Sequence, residues 1–220
     1  VEAATLKVQP IQVCNDAGAS CANSSLQTFE SFTDQIWAQA GIDVEFLPWN
    51  TFNSTSYLSI DSNAEIDALF LESALVSMAS PDPFTVSMWF VSNVVGAYGV
   101  AELNSGRTII SDAIFGFNAP TGRVDTIAHE LGHNLGLDHC DQGATPCNGN
   151  YLMASGNIRS VPTSLGQVGT LDILSPGEIS IAQQSSLLAS DVPEPGSVIM
   201  LSTAAAGLFV LRRRRQSAGK

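Results

Sequence analysis

The body of this chain contains very few basic residues. Nine lysines and arginines stand against 21 aspartates and glutamates in the 220 residues, and the formal net charge is −12. Five of the nine basic residues lie at the C-terminal end, in residues 212–215 and at Lys220, so the part before them is strongly acidic. Because such a surface has little with which to neutralise phosphates, we expect no nucleic-acid partner.

Cysteine is limited to four residues, which form two local pairs, Cys14 with Cys21 and Cys140 with Cys147. Three connectivities are open in principle, and the short intervening loops, with their Gly, Asp, Asn or Pro residues, favour the sequential pairing. An even cysteine count and little lysine are typical of exported proteins that fold in an oxidising compartment. We therefore expect that Val1 is a mature N-terminus from which a leader has been removed.

The chain has no internal repeat, and its length suffices for one well-cored domain plus an appendage. The composition changes near Asp191, where a Pro- and Glu-containing segment precedes a long uncharged stretch. We therefore predict a folded domain in residues 1–189 and a separate tail in residues 190–220.

Histidine occurs only three times, and all three copies lie in residues 129–139, HELGHNLGLDH. His129 and His133 are four positions apart, so on a helix their imidazoles share one face and can bind one metal ion. Glu130 can point toward the same ion and act as general base on a metal-bound water. Gly136 tolerates positive φ and can end the helix, which would return His139 as third ligand.

This pattern, H-E-x-x-H-x-x-G-x-x-H, resembles the zinc-binding signature of the metzincin metallopeptidases. Residues 130–137 (ELGHNLGL) are most similar to the adamalysin/reprolysin type. The resemblance implies one catalytic Zn²⁺ held by His129, His133 and His139, with Glu130 as catalytic base. It also implies a methionine turn beneath the metal, for which Met153 in residues 149–156 is the candidate.

Cys140 directly follows the third histidine, where the adamalysin pattern has aspartate, so the subfamily stays open although the clan does not. We expect a disulfide between Cys140 and Cys147 to tether the loop of the third ligand. The alternative is that these two cysteines bind additional zinc. No sequence pattern supports a structural Ca²⁺ ion, which is left open.

Apolar spacing and turn residues predict alternating strands and helices. Strands are predicted in residues 6–13 (broken or bulged at Pro10), 42–46, 85–91, 99–103 and 107–111, and helices in residues 26–40, 64–78, from near Gly122, and from Ser175. Residues 50–63 read as a loop. The fold class is therefore α+β (α/β-like zincin). The resemblance adds a mixed twisted sheet with a free edge strand over the active-site helix, a methionine turn and a C-terminal helix.

In metzincins the strand before the active-site helix forms the edge of the sheet and receives the substrate as an added strand. The resemblance implies that residues 99–103 and 107–111 form this rim, so that a peptide or protein substrate binds as an extended strand. The alternative is that both segments are ordinary core strands.

The tail begins with Pro193, Glu194 and Pro195, continues with sixteen uncharged residues at 196–211, and ends in an arginine cluster. This order resembles the PEP-CTERM sorting signal of exported proteins of Gram-negative bacteria. The resemblance implies processing by an exosortase and at least transient membrane attachment through residues 196–211. The destination would be the periplasm, outer surface or extracellular matrix. A simple stop-transfer anchor that is never removed is the alternative.

We interpret the chain as an exported, surface-sorted zinc-dependent endopeptidase. One competing hypothesis is a non-catalytic surface or exopolysaccharide-associated protein stabilised by zinc. A structural zinc site usually has four protein ligands, whereas this motif offers three histidines and retains Glu130. Another competing hypothesis is an amidase that acts on cell-wall peptide. The sequence predicts no substrate preference.

Overall fold

A six-stranded mixed sheet is the framework of the domain. In chain order, the strands of the whole structure are β1 (Ala4–Cys14), β2 (Ile42–Phe46), β3 (Asn50–Asn53), β4 (Ser59–Ile60), β5 (Thr85–Val91), β6 (Asn93–Val94), β7 (Gly99–Ala101) and β8 (Arg107–Ser111). The main sheet has the order β2-β1-β5-β8-β7, and β3 also pairs with β1. Strands β4 and β6 form a separate parallel pair. Only β7 runs antiparallel to its neighbour in the main sheet.

Helices cover both faces of this sheet. They are α1 (Glu30–Trp37), α2 (Asn63–Val76), α3 (Ala113–Gly116), α4 (Thr126–Asn134) and α5 (Pro176–Ala182). One hydrophobic core joins α1, α4 and α5 to residues such as Val8 and Met88, and the other joins α2 to residues such as Ile11 and Trp89. The predicted α+β class with a mixed sheet is confirmed.

The computed structural model describes residues 3–76, 79–142 and 147–188. These residues belong to a compact unit whose bounds are Val1–Ala189. The predicted tail, with its sorting motif and apolar span, lies outside the described residues. Within the described ranges, no helix is both long and apolar enough to span a bilayer.

Strand β1 runs without interruption through Pro10, so the predicted break is wrong. Residues 4–8 of β1 pair with β2 and residues 11–14 pair with β3 on the same side. Pro10 therefore lies where β1 changes partners, and its missing N–H costs no ladder hydrogen bond on that side. The predicted loop at residues 50–63 is also wrong, because it contains β3, β4 and the start of α2.

The edge of the sheet lies above α4. Strand β7 is the last strand and pairs with β8 through Gly99 opposite Ile110 and Ala101 opposite Thr108. Residues 99–101 are half-buried, whereas Thr108 and Ile110 of β8 are buried. The predicted rim is therefore divided between an edge strand, β7, and a core strand, β8.

Two helix starts illustrate what local sequence signals determine. Helix α5 follows Ser175, as predicted, and begins with a capping box in which the Ser175 hydroxyl accepts from Glu178 N–H and the Glu178 carboxylate accepts from Ser175 N–H. The sequence predicts that helix α4 starts near Gly122, and this is wrong. Gly122 has φ +82°, and the helix begins at Thr126.

Candidate metal centre and active site

Helix α4 carries the first two histidines and ends in a Schellman motif. Leu137 N–H donates to Gly132 O at 2.9 Å, and Gly136 N–H donates to His133 O at 3.0 Å. Gly136 has φ +96°, a conformation that glycine adopts without a Cβ penalty. The reversal returns the chain toward the helix face, which brings His139 beside His129 and His133.

The three imidazoles are arranged as ligands of one metal ion. Their ligand nitrogens all lie within 4.8 Å of one another, and Nε2 of His129 is 3.2 Å from Nε2 of His139. The His133 ring is nearly perpendicular to the other two, with interplanar angles of 87° and 77°. Two nitrogens bound tetrahedrally to zinc at ~2.0–2.1 Å would be about 3.3 Å apart, so the residues fit a zinc ion.

Main-chain carbonyls orient the first two imidazoles. Nδ1 of His129 lies 2.7 Å from Leu152 O, and Nδ1 of His133 lies 2.8 Å from Leu137 O. A proton on each Nδ1 would leave each Nε2 lone pair directed at the ion. Burial lowers the pKa of His133, and that of His129 well below its usual value, so both rings are neutral, as metal binding requires.

The side chain of Glu130 projects from α4 toward the edge strand β7. This side chain is buried, and a Cβ placed on Gly99 of β7 would come within 2.8 Å of its Oε1. Burial is the main cause that raises the pKa of Glu130 to about 7. The carboxyl group therefore faces the place where an added strand would pass, one residue along the helix from His129.

Met153 packs beneath the helix that carries two of the histidines. It is fully buried, and its sulfur occupies the space next to Gly132 where a Cβ would otherwise lie. Its carbonyl accepts from Cys140 N–H at 2.8 Å, next to the third histidine. The turn therefore contacts both chain segments that supply histidines.

The loop of the third histidine is fastened to the same turn. Asp141 accepts hydrogen bonds from the N–H and hydroxyl of Ser155, at 2.9 Å for the N–H. Cys140 and Cys147 form a disulfide, as do Cys14 and Cys21. Because the sulfur atoms of Cys140 and Cys147 are bonded to each other, these two cysteines are not zinc ligands in this structure.

Asn134 attaches α4 to the rim and was not predicted. It is fully buried, its Oδ1 accepts from the Thr108 hydroxyl at 2.5 Å, and its Nδ2 donates to Arg107 O at 3.1 Å. Asn104 N–H donates to His133 O at 3.0 Å, which is a second link between the β7–β8 turn and the helix. The distance between edge strand and metal centre is thus set by hydrogen bonds.

A buried ionic cluster, also not predicted, lies behind His129. Arg159 Nε is 2.6 Å from Asp125 Oδ2, and Arg123 Nε is 3.7 Å from Asp125 Oδ1. Arg159 also contacts Nδ1 of His129 and donates to Leu152 O at 3.1 Å. Its one sequence signal is scarcity, since Arg123 and Arg159 are two of only four basic residues in residues 1–211.

Asp172 is a further buried acid near this cluster. Burial is the main cause that raises its pKa to about 8, followed by the neighbouring Asp125 carboxylate. None of the ion pairs among the described residues involves it. Asp172 is therefore protonated at neutral pH, and Asp125 is the carboxylate that the two arginines share.

Two cavities meet at Glu130. The arginine cavity, of about 510 Å³, is lined by Gly96, Ala97, Tyr98, Gly99, Arg123, Thr126, His129, Glu130, His139, Gly156, Asn157 and Arg159. The distal cavity, of about 360 Å³, is lined by Gly99, Val100, Ala101, Leu103, His129, Glu130, His133, Asp138 and His139. Because Gly99, His129, Glu130 and His139 line both of them, we call the two cavities together the groove.

The structure brings together most of the residues that the sequence singled out. His129, His133, His139, Glu130, Gly136 and Met153 converge on one centre. Asp138 and Asp141 do not contact the imidazole nitrogens in the described hydrogen bonds, and Asp138 instead accepts from His139 N–H. Pro193, Glu194 and Pro195 lie outside the described residues.

Comparison with known sequences identifies the tail. The profile of the PEP-CTERM protein-sorting motif matches residues 191–215, which confirms the predicted signal at Pro193, Glu194 and Pro195. Such a signal implies export and surface sorting with a C-terminal anchor in Gram-negative bacteria. No curated protein sequence matches the chain.

Comparison with solved structures shows similarity of fold alone. A structure described as a chaperone–substrate complex has 15% identity, a TM-score of 0.51 and 83% coverage of this chain, which spans 34% of that chain's length. Archaemetzincin from Methanopyrus kandleri has 16% identity and a TM-score of 0.48, and the match covers 82% of this chain and 95% of that protein. A zinc-dependent peptidase from Methanocorpusculum labreanum has 14% identity and a TM-score of 0.46, and the match covers 80% of this chain and 99% of that protein.

Proposed function

We propose that this protein is a zinc-dependent endopeptidase of the metzincin clan that is exported and sorted to the cell surface. The observation that carries the proposal is the convergence of three imidazoles with the buried carboxyl of Glu130 in one groove beneath an edge strand. The adamalysin-like stretch at residues 130–137 is part of this proposal, with Cys140 as its departure from that subfamily.

His129, His133 and His139 would hold the ion through their Nε2 atoms. A bound zinc ion supplies Lewis acidity, which polarises a carbonyl and lowers the pKa of water to about 7. Leu152 and Leu137 keep the first two rings in the orientation and tautomer that binding needs, and the disulfide of Cys140 limits movement of the third.

Glu130 is the proposed catalytic base. Its carboxylate takes a proton from the attacking water and gives it to the leaving amine when the C–N bond breaks. Burial raises the pKa of Glu130 to about 7, which suits a group that must both accept and donate a proton near neutral pH. Gly99 leaves the space that this side chain occupies.

The edge strand is the proposed binding site of an extended peptide. Strand β7 pairs only with β8 among the described strands, and Val100 lies in the middle of the three paired positions. A peptide added at this edge would form main-chain hydrogen bonds with β7, and its side chains would alternate between the groove and solvent. Recognition of main-chain groups fits hydrolysis within a chain.

A purely structural zinc site is the weaker hypothesis. Among the described residues, the only metal-binding group that includes histidine has three members, whereas a structural site usually has four protein ligands. A buried carboxyl beside the ligands, with a pKa that burial raises to about 7, is what a catalytic base needs and a structural site does not require. An amidase that acts on cell-wall peptide would use the same groove and is distinguished by its substrate.

The tail is the proposed sorting address. Residues 196–211 would hold the protein transiently in the membrane until an exosortase-type enzyme acts near Pro193, Glu194 and Pro195. The enzymatic domain, residues 1–189, would then act in the periplasm, on the outer surface or in the extracellular matrix.

The test is cleavage of a mixed peptide library by the zinc-loaded full chain, with the cut sites identified by mass spectrometry. We expect cuts within peptides, loss of cleavage with a chelator, and recovery when zinc is restored. The control is His139→Ala, which should lose bound zinc and activity together. Absence of cleavage by protein that holds one equivalent of zinc would refute the peptidase proposal.

A further inference from the structure

We infer that the arginine cavity is a specificity pocket for a carboxylate, carried by the residue that follows the scissile bond. This inference rests on the proposed peptidase function and adds a substrate class to it. The carboxylate belongs either to an acidic side chain or to a C-terminus close to the cut. In both cases the recognising groups are Arg123 and Arg159.

Both arginines line the cavity that begins at the metal centre. Arg123 is 4% exposed and Arg159 is 9% exposed, so a group that reaches them leaves bulk water. Arg123 lies over the Tyr98 ring at 4.7 Å, which fixes its guanidinium in the cavity wall. A planar guanidinium held in this way is suited to a carboxylate partner.

Arg123 is the arginine of the cluster with the more distant carboxylate. Asp125 is shared by both guanidinium groups, and it lies 2.6 Å from Arg159 Nε and 3.7 Å from Arg123 Nε. Asp172 and Glu130 form no ion pair with either arginine among the described residues. A metal ion at the histidines would add further positive charge. A carboxylate in the cavity would therefore give the Arg123 guanidinium a closer anionic partner than Asp125.

Main-chain carbonyls hold both guanidinium groups in place. Arg123 Nη2 donates to Gly156 O at 3.1 Å, and Arg159 Nη1 donates to Leu152 O and Ala154 O. Arg123 also has a side-chain hydrogen bond with Tyr98. Because both guanidinium groups line the cavity and are held by these contacts, they define where a carboxylate would bind.

The direction of β7 assigns the cavity to one side of the scissile bond. The arginine cavity lies at the start of β7, near Gly96 and Gly99, and the distal cavity lies at its end, near Leu103. A peptide paired antiparallel to β7 therefore runs from the distal cavity to the arginine cavity. With Glu130 between the two, the residue after the cut enters the arginine cavity.

The test is a binding series on the full-length zinc-loaded chain, read by NMR titration and independent of turnover. The ligands are the tripeptide amide Glu-Ala-Ala, its neutral twin Gln-Ala-Ala amide, and the dipeptide Gln-Ala with a free C-terminal carboxylate. We expect the glutamate ligand to bind about tenfold more tightly than its neutral twin, as for other charge-assisted pairs. Tighter binding of the dipeptide alone would identify a chain-terminal carboxylate as the source.

The matched variants are Arg123→Gln and Arg107→Gln, which make the same change of charge. Arg107 is half-exposed on β8, pairs with Glu102 and lies outside the cavity. The glutamate preference should fall to within about twofold in Arg123→Gln and persist in Arg107→Gln. If Arg123→Gln does not fold, Arg123→Lys keeps the charge and should keep part of the preference.

Equal affinity of all three ligands for the wild-type chain would overturn the pocket assignment. Cleavage of the corresponding longer peptides is measured separately, with glutamate or glutamine after the cut. Preferential binding without cleavage would sink the peptidase proposal and leave the pocket supported. Cleavage of both peptides at equal rates, together with equal binding, would support the peptidase proposal and refute the carboxylate pocket.

Discussion

At the scale of single residues, His129 and His133 each have Nδ1 beside a main-chain carbonyl, of Leu152 and of Leu137. Carbonyls of this kind move only when the backbone moves, so the orientation of the rings depends on the turns that hold them. One such turn is the Schellman motif, and the other is the methionine turn. At Gly99, Gly132 and Gly136 an added Cβ would collide with Glu130, Met153 and Asn104, so these glycines keep the site in its arrangement.

Gly99→Ala should reduce activity without removing the metal. The added Cβ would lie 2.7 Å from Cγ of Glu130 and push the catalytic carboxyl or β7 aside. We expect kcat/KM to fall by about tenfold to a hundredfold, since small displacements of a catalytic group are costly. Zinc content, measured by mass spectrometry, should stay at one equivalent. The control is Gly116→Ala, whose Cβ would meet nothing within 4 Å and should leave kcat/KM unchanged.

Asp172→Asn should change how stability depends on pH. Burial raises the pKa of Asp172 from 3.8 to about 8, so between these values the folded protein holds a proton that the unfolded chain has lost. The free energy of unfolding then falls with rising pH, by up to about 1.4 kcal/mol per pH unit. Asparagine has no titratable proton, so the Asp172→Asn variant should not lose free energy of unfolding in this way as the pH rises. Denaturant titrations should give equal stability near pH 4 and a more stable variant at pH 8, whereas parallel curves would contradict the assignment.

At the scale of elements, the return of the chain after α4 decides whether the third ligand arrives. Gly136→Ala places a Cβ at φ +96°, against the Asn104 side chain. We expect a loss of about 1–2 kcal/mol in the free energy of unfolding. We also expect zinc affinity about tenfold lower, because the carbonyl that orients His133 belongs to the same turn.

Gly41→Ala is the control for that variant. Gly41 also has positive φ, at +66°, but its Cβ would meet nothing within 4 Å. It should lose a similar amount of stability and keep its zinc affinity. Equal loss of zinc affinity in both variants would show that Gly136 acts through general stability alone.

Elements with strong local signals were predicted from sequence. Five of the seven residues of β5 are apolar, Gly41 ends the short 3-10 turn that follows α1, and the Ser175 capping box starts α5. Each of these elements therefore carries its own local signal. The histidine spacing is such a signal for the metal centre. These features depend on residues within one turn or one strand of each other.

The remaining features depend on distant partners. Pro10 is tolerated in β1 because two other strands meet there, and the polar β3 is a strand because it pairs with β1. Asn134 and Arg159 have partners 26 and 34 residues away, at Thr108 and Asp125. Nothing in the local spacing of these residues indicates such contacts, although two isolated arginines in an acidic chain were a usable signal.

At the scale of the whole molecule, the proposed enzymatic domain (residues 1–189) and the proposed sorting tail (residues 190–220) have separate tasks. Removal of residues 190–220 should leave kcat/KM and zinc content unchanged within about twofold, because the site lies wholly within the unit ending at Ala189. The same truncation should abolish membrane retention when the protein is expressed in a Gram-negative host. Fractionation followed by a cleavage assay measures both, and loss of activity in the soluble truncated protein would contradict this division.

The edge strand, the three histidines, Glu130 and the two arginines all line the groove. The most direct measurement is kcat/KM of wild type and Glu130→Gln on one cleavable peptide, at matched occupancy of one zinc equivalent. Glutamine keeps the shape of the side chain and removes its ability to take a proton, so we expect a decrease of about a hundredfold to ten-thousandfold. Equal kcat/KM for the two proteins would contradict the proposal that Glu130 is the base of a zinc peptidase.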